Sequence, residues 1–139
     1  MAGGLHRISR YLWASPATLL GLCLALIART SGARVIRVGG VIEACGGRLG
    51  RWVALLPKHR RFGAITFGHV VLAVDEFTLD ACRAHERAHV RQYERWGILF
   101  FPLYAASSLW AMLRGRRLYF DNHFERQARE ACAESGPYV

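Results

Sequence analysis

Residues 78–96 read TLDACRAHERAHVRQYERW, and this stretch decides the fold. Its apolar residues recur every three to four positions, which is the period of a helix that packs on one side. Asp75 and Glu76 precede it, and Thr78 is a suitable N-cap residue. The sequence therefore predicts a helix from Thr78 to about Trp96.

The chain before this helix predicts a small sheet. Residues 34–44 are rich in β-branched side chains and interrupted by Gly39-Gly40, which is typical of two strands joined by a tight turn. Residues 63–74 are typical of one or two further strands, and residues 49–56 of a short helix or strand. We expect an α+β fold in which a small antiparallel sheet precedes the long helix.

Two uncharged apolar segments lie on either side of this region, at residues 11–28 and 97–113, and arginines border both. The first segment has 18 residues, just enough for a helix to reach across a hydrocarbon core of about 30 Å. Both are predicted to be membrane-associated helices, and surface-lying or re-entrant helices are open alternatives. For residues 11–28, a buried core helix of a soluble protein is a further alternative. A cleaved secretory signal is disfavoured because residues 26–29 form a poor cleavage site.

Length and charge limit the classes of protein that the chain can belong to. A chain of 139 residues predicts a single domain, residues 1–139, and 53% hydrophobic residues exclude a disordered chain. The net charge of +9 favours anionic lipid over nucleic acid, because no nucleic-acid-binding motif accompanies it. We expect a membrane-associated protein, integral to the inner or cytoplasmic membrane, with no nucleic-acid partner. The oligomeric state is left open.

Four cysteines are spread through the chain: Cys23, Cys45, Cys82 and Cys132. They form no CxxC pair and no ladder of the kind found in small disulfide-rich domains. We expect reduced thiols that are mostly buried. The basic segment at residues 58–61 is predicted to be a charged turn.

The long predicted helix contains the HExxH sequence His85-Glu86-Arg87-Ala88-His89. Two histidines four residues apart lie within about 40° of each other on one helix face, so both imidazoles can bind one metal ion. Glu86 then lies beside the ion, where it can serve as general base for a metal-activated water. Zinc is the expected ion, because it accepts nitrogen and oxygen ligands.

Two histidines leave a catalytic zinc one protein ligand short. In the HExxHxxGxxH pattern a glycine and then a third histidine follow the second histidine. In this sequence Gln92 and Arg95 occupy those two positions, so the pattern is absent. The third ligand must come from another element, and Glu125, near the start of a last helix predicted over residues 121–133, is our choice. An alternative is open: Asn122 and Glu125 have the spacing of a capping box, in which Glu125 would only stabilise the helix end.

The pattern His85-Glu86-x-x-His89 followed by Asn122-x-x-Glu125-x-x-Ala128 resembles the gluzincin branch of the zincin metallopeptidases. In that branch a glutamate from a later helix completes the zinc site. The resemblance covers residues 63–133, about half of the chain. It implies a zincin-like domain in which the strand at residues 64–73 is the sheet edge along which an extended peptide substrate lies.

Peptide hydrolysis also needs a hydrogen-bond donor for the developing oxyanion. Tyr93, Tyr119 and His123 are conceivable, and Tyr119 is favoured because it lies just before the third-ligand helix. We therefore expect a membrane-associated zinc metallopeptidase acting on peptide or protein substrates. The alternative is a non-enzymatic membrane adaptor with a structural metal site and a basic surface that binds anionic lipid or a partner. A fourth ligand, for instance His123, would support the adaptor.

Overall fold

A four-stranded sheet separates two layers of helices in this protein. The computed structural model describes residues 2–58 and 61–134, with side chains from residue 8 onward, so the charged turn predicted at residues 58–61 lies partly outside the described residues. In chain order the elements are α1 (Ala2–Trp13), α2 (Ser15–Thr30), β1 (Ala33–Val38), β2 (Val41–Gly46), α3 (Leu49–Leu55), β3 (Ala64–Phe67), β4 (Val70–Ala73), α4 (Glu76–Trp96), a 3-10 turn (Gly97–Leu99), α5 (Phe100–Leu113) and α6 (His123–Glu134). The predicted α+β class is confirmed.

The sheet is mixed, with strand order β1-β2-β4-β3. The pairs β1–β2 and β3–β4 are antiparallel hairpins, but β2 and β4 run parallel, with Ile42 opposite Val70. The prediction of a purely antiparallel sheet is therefore wrong. All four residues of β4 are apolar and buried, and such a strand is most stable in the centre of a sheet covered on both faces. The second hairpin consequently joins the first through β4, and β3 becomes an edge strand.

The two faces of the sheet support different helices. Val71 and Ala73 of β4 belong to the cluster that packs on α4, whereas Val70 and Leu72 belong to the cluster that packs on α2. This alternation follows from the two-residue period of a strand. The sheet therefore positions α4, which carries the HExxH sequence, on the face opposite α2.

A buried carboxylate fastens α4 to the sheet. Glu43 of β2 is buried and accepts hydrogen bonds from Arg83 at 3.2 Å and from Arg87 at 2.7 Å. Both arginines belong to α4. Since each charge is paired, the desolvated carboxylate is tolerated, and the three side chains set how α4 lies along β2.

The two ends of α4 are defined by Asp75 and Gly97. Asp75 Oδ1 accepts a hydrogen bond from the backbone N–H of Thr78 at 2.7 Å, so Asp75 is the N-cap. The prediction that Thr78 caps the helix is wrong, because an aspartate three residues earlier provides the acceptor. At the other end Gly97 has φ +55°, and a Cβ there would lie 2.7 Å from the ring of Trp13. Only glycine allows this close approach of α1.

The apolar segments are shorter as helices than the sequence indicates. The segment at residues 11–28 is divided between α1 and α2, and the segment at residues 97–113 begins with a 3-10 turn before α5. Among the described residues, the helical residues Glu76–Leu113, which comprise α4, the 3-10 turn and α5, are long and apolar enough to cross a membrane, by length and composition alone. Core helices of soluble proteins pass the same test.

The cysteines are free, as the sequence predicts. Cys45 is buried, whereas Cys82 and Cys132 are partly exposed and Cys23 is exposed on α2. The expectation that most of them are buried is therefore wrong. For Cys23 the reason is the orientation of α2, whose small residues pack inward and leave Cys23 on the outer side.

Candidate metal centre

Helices α4 and α6 bring His85, His89 and Glu125 together. The two imidazole Nε2 atoms are 3.1 Å apart. Oε2 of Glu125 lies 3.2 Å from Nε2 of His85, and its Oε1 lies 3.4 Å from Nε2 of His89. Three potential ligand atoms therefore converge on one point, and the group could hold a metal ion.

The spacing of these atoms is compatible with one metal ion. In a tetrahedron with metal–ligand distances of about 2.0–2.1 Å, neighbouring ligand atoms are about 3.3–3.4 Å apart. Here the two nitrogens are 3.1 Å apart, each lies 3.2–3.4 Å from a different oxygen of Glu125, and one ligand atom from each residue lies within 4.8 Å of the other two. Oε2 of Glu125 is buried and, despite its short distance to His85, makes no hydrogen bond of acceptable geometry within the described residues. A buried carboxylate oxygen without a donor is unfavourable unless a cation balances it. Two nitrogens and one oxygen are a donor set that suits zinc.

Glu125 does not cap α6. Asn122 caps it instead, because its Oδ1 accepts a hydrogen bond from the backbone N–H of Phe124 at 2.8 Å. The backbone N–H of Asn122, which a capping-box glutamate would accept from, donates to the carbonyl of Tyr119. The capping-box alternative is therefore wrong for Glu125, whose carboxylate contacts the two histidines and Tyr104.

The electrostatics of the site keep Glu125 ionised. Burial opposes its ionisation, but contacts with His85, His89 and Tyr104 outweigh this and hold the pKa of the carboxyl well below its usual value. For His89, burial lowers the pKa, but the Glu125 carboxylate outweighs burial and raises it. The carboxylate is therefore charged at neutral pH, which is the form that binds a cation.

Gln92 orients His89. Its Oε1 lies 2.8 Å from Nδ1 of the imidazole, and because an amide oxygen only accepts, the neutral imidazole carries its proton on Nδ1 and keeps the Nε2 lone pair for the cluster. The Gln92 amide nitrogen donates to the carbonyl of Phe124 at 3.0 Å and to Gln127 Oε1 at 2.9 Å. Sequence reasoning treated Gln92 only as a residue that is not a ligand. Its position three residues after a ligand histidine is the signal that could have identified it.

Thr66 positions Glu86. The glutamate is buried, and its Oε2 accepts a hydrogen bond from Thr66 Oγ1 at 2.6 Å. Thr66 belongs to β3, the edge strand, and sequence reasoning missed it because no local pattern connects the two residues. Glu86 lines the same cavity as the cluster without belonging to it. This is the location that its sequence position predicts.

A cavity of about 850 Å³ opens beside the cluster. Besides the three clustered residues and Glu86 it is lined mainly by aromatic side chains, which are Phe62, Phe67, Tyr93, Phe100, Phe101, Tyr104, Tyr119 and Phe120. The edge strand β3 borders this cavity. Residues 64–73, predicted as one substrate-binding edge, form the hairpin β3–β4 instead, and within this hairpin only β3 lies at the edge of the sheet. The backbone N–H of Val74 donates to the carbonyl of Gly63 at 2.9 Å, so these two residues form a hydrogen-bonded pair. Hydrogen-bonded and non-hydrogen-bonded pairs alternate along an antiparallel ladder. Ala64 and Thr66 therefore belong to non-hydrogen-bonded pairs, and their backbone N–H and C=O groups point away from β4.

Two tyrosines lie next to Glu125. Tyr104 of α5 donates its hydroxyl hydrogen to Oε1 of Glu125 at 2.8 Å. Tyr119, the predicted oxyanion donor, is half-exposed at the cavity, and burial together with the Glu125 carboxylate raises the pKa of its phenol. Tyr104 was missed, since it lies in an apolar segment that was assigned to the membrane. The oxyanion role of Tyr119 stays a prediction.

No protein-family model, no curated protein and no solved structure matches this chain. The resemblance of its motif to gluzincins therefore stays a proposal.

Proposed function

We propose that this chain is a membrane-associated, zinc-dependent metallopeptidase that hydrolyses peptide bonds. The observation that supports this best is the convergence of His85, His89 and Glu125 beside a cavity that an edge strand borders. Each part has a separate task in peptide hydrolysis. Helix α4 carries two of the metal ligands and the base Glu86, α6 carries Glu125, and β3 is the edge for the substrate.

The three clustered residues would hold the zinc ion. When bound, zinc supplies a Lewis acid and lowers the pKa of a water molecule. Glu86, held by Thr66, accepts a proton at its carboxylate and returns it to the leaving amine. Tyr119 and Tyr104 present phenolic hydroxyls beside Glu125, and Tyr119 is the one that we assign to the developing oxyanion.

The edge strand would align the substrate. Ala64 and Thr66 direct backbone N–H and C=O groups away from β4, on the side that no described strand occupies. An extended peptide gains main-chain hydrogen bonds at such an edge. The same strand carries Thr66, so the peptide and the Glu86 carboxylate are held by one element.

The alternative, a membrane adaptor with a structural metal site, requires a saturated ion. In the part of the chain that the structure describes, the cluster contains three residues and borders a cavity. His123, a conceivable fourth ligand, is exposed and does not belong to the cluster. We therefore favour the enzyme.

Metal analysis and a peptidase assay test the proposal together. Protein purified without chelator should contain about one zinc per chain, and Glu86→Gln should keep the metal but lose cleavage of a quenched fluorescent peptide library. Wild-type protein that carries zinc but cleaves no peptide would support the adaptor. Full zinc retention in both His85→Ala and Glu125→Ala would overturn the metal site.

A further inference from the structure

Helix α2 buries small residues and exposes large apolar ones, which is the reverse of the pattern in a helix of a water-soluble protein. The residues that it buries against the sheet are small: Ala17, Gly21, Ala25 and Ala28. Its outer side is a leucine face of large exposed residues, Leu19, Leu20, Leu22, Leu26 and Ile27. A helix in contact with water normally buries its large apolar residues and exposes charged ones. The leucine face therefore needs an apolar environment outside the protein.

Close packing keeps the leucine face outside. A Cβ added at Gly21 would lie 2.6 Å from Cβ of Val70 and 2.9 Å from the carbonyl oxygen of Phe67. Ala17 and Ala25, four residues to either side, continue this small-residue contact. Such stripes let a helix backbone approach its partner closely, as in membrane helices. No space remains for leucine on the inner side, so rotation of α2 cannot hide the leucine face.

Arginines border the leucine face at both ends. Arg10, whose exposed guanidinium lies 3.7 Å from Glu94 of α4, precedes α2, Arg29 lies in its last turn, and Arg37 follows on β1, all of them exposed. The same arrangement recurs on α5, whose exposed Trp110 is covered by the guanidinium of Arg114 at 4.4 Å from the ring centre. An apolar face with a basic border matches a bilayer, in which acyl chains lie beneath anionic headgroups.

We propose that the leucine face of α2 docks in the acyl layer of one leaflet of an anionic bilayer, with α2 lying along the membrane surface. This rests on the proposed membrane association and specifies its surface and depth. Helix α2 has 16 residues, so it is about 24 Å long and shorter than the hydrocarbon core. On its own, α2 is therefore too short to cross the membrane, and we assign it to the surface.

The sheet also argues against a crossing. All four strands contact the inner side of α2, so a crossing α2 would place β1 and β3 in hydrocarbon. Both are edge strands of the described sheet, and their outer backbone groups would have no hydrogen-bond partner there. With α2 along the surface, the sheet and the metal centre lie on the aqueous side.

A second copy of the chain fits the leucine face less well. In an antiparallel α2–α2 pair, Arg29 of each copy would approach Arg10 of the other, whose side chain is 59% exposed although it pairs with Glu94 at 3.7 Å. Like charges brought together oppose such a pair. A bilayer containing acidic lipids attracts the same arginines, which is why we assign the surface to lipid.

Vesicle flotation tests the surface. The full chain is mixed with preformed vesicles of phosphatidylcholine alone or with 30% phosphatidylglycerol, at about 0.1 M and 0.5 M salt. We expect binding that increases with the acidic lipid and a loss of about tenfold in partition for each of Leu19→Gln and Leu26→Gln. The control is Phe77→Gln, because Phe77 is 84% exposed but lies on α4, across the sheet. Variants are compared only when their far-UV circular dichroism and melting curves match the wild type.

Cys23 measures the depth, because it lies midway along α2 and is exposed. Bimane is attached to Cys23 in a Cys82→Ser/Cys132→Ser background. The one other cysteine in this background, Cys45, is buried and is not expected to react. A surface-lying α2 predicts strong quenching by lipids labelled near the headgroup and weak quenching by lipids labelled at the acyl-chain ends. The opposite order would show a crossing helix and overturn the proposal.

Two other results would also overturn it: no binding to any vesicle, or a dimer in light scattering that Leu26→Gln converts to monomer. Zinc content and cleavage of a soluble peptide are measured without vesicles. A failure of docking with intact zinc and cleavage therefore counts against this inference and the membrane association on which it rests, but not against the metallopeptidase. Docking without zinc or cleavage would affect only the proposed function.

Discussion

Nε2 of His85 lies 3.2 Å from Oε2 of Glu125, although α5 separates the two residues in the chain. This contact joins the HExxH helix to the last helix of the described chain. It depends on the return of the chain after α5, which places α6 against α4. The candidate metal centre is therefore a product of how two distant helices pack, and its parts can be tested separately.

The first prediction concerns zinc content. His85→Ala and Glu125→Ala should each reduce bound zinc from about one per chain to a small fraction, because two remaining ligands hold zinc weakly. Inductively coupled plasma mass spectrometry of protein purified without chelator measures this. Glu130→Ala is the matched control, since Glu130 is an exposed acidic residue of the same helix as Glu125. Equal losses in the control would indicate unfolding of α6 instead.

The second prediction separates metal binding from proton transfer. Glu86→Gln should keep its zinc and reduce kcat at least about a hundredfold, because glutamine cannot accept a proton. Thr66→Val should reduce kcat about tenfold, because it removes the 2.6 Å hydrogen bond that holds the carboxylate. Thr30→Val, which removes only an exposed hydrogen bond to the Ile27 carbonyl, is the control. A fully active Glu86→Gln variant would rule out Glu86 as the base.

The third prediction concerns Gln92. Gln92→Ala should weaken zinc binding by about 10–100-fold, because His89 loses the partner that fixes its tautomer. Competition with a fluorescent zinc chelator measures the affinity. Gln127→Ala is the control, since Gln127 bonds the Gln92 amide but does not touch a histidine. If both variants bind zinc like the wild type, the orienting role is refuted.

The fourth prediction is a dependence of stability on pH that zinc reverses. Without metal, the Glu125 pKa is lowered, so its contribution is present above the usual glutamate pKa and is lost as the pH falls through the folded value. The His89 pKa is raised, so its contribution is present below the usual histidine pKa and is lost as the pH rises through the folded value. The metal-free pair therefore stabilises most between about pH 4.3 and 6.5.

Zinc requires neutral imidazoles, so it should stabilise more as the pH rises. Differential scanning fluorimetry between pH 5 and 8, with EDTA or with zinc, measures both curves. We expect the zinc-induced rise in Tm to be large at about pH 8 and nearly absent at about pH 5. A rise in Tm that is independent of pH would contradict binding through His85 and His89.

The fifth prediction tests the close packing of α2. Gly21→Ala should lower the free energy of unfolding by about 1–3 kcal/mol, because the new methyl group would lie 2.6 Å from Val70. Gly50→Ala is the control: its Cβ would meet only ordinary contacts of 3.7 Å or more, and alanine favours the helix α3. Urea unfolding followed by circular dichroism measures both. A neutral Gly21→Ala variant would contradict the close packing.

Local order along the chain was predictable from residue patterns. Periodicity, turn glycines and capping residues predict the hairpin at residues 34–44, strand structure at residues 63–74, the long helix that ends at Trp96 and the last helix. These signals act within a few positions, and they left open whether residues 63–74 form one strand or two. The shared face of His85 and His89 follows from helix geometry alone. Glu125 could be singled out by its chemistry, but its capping alternative could not be dismissed without the position of its carboxylate.

Contacts between distant segments were decided by packing. The parallel pairing of β2 with β4 follows from which strand is buried best at the centre of the sheet, and no local pattern encodes that. The contacts of Thr66 with Glu86 and of Gln92 with Phe124 exist only after α4 is seated between the sheet and α6. An apolar sequence likewise cannot say which side of α2 faces outward, because that depends on the surface against which its small residues pack.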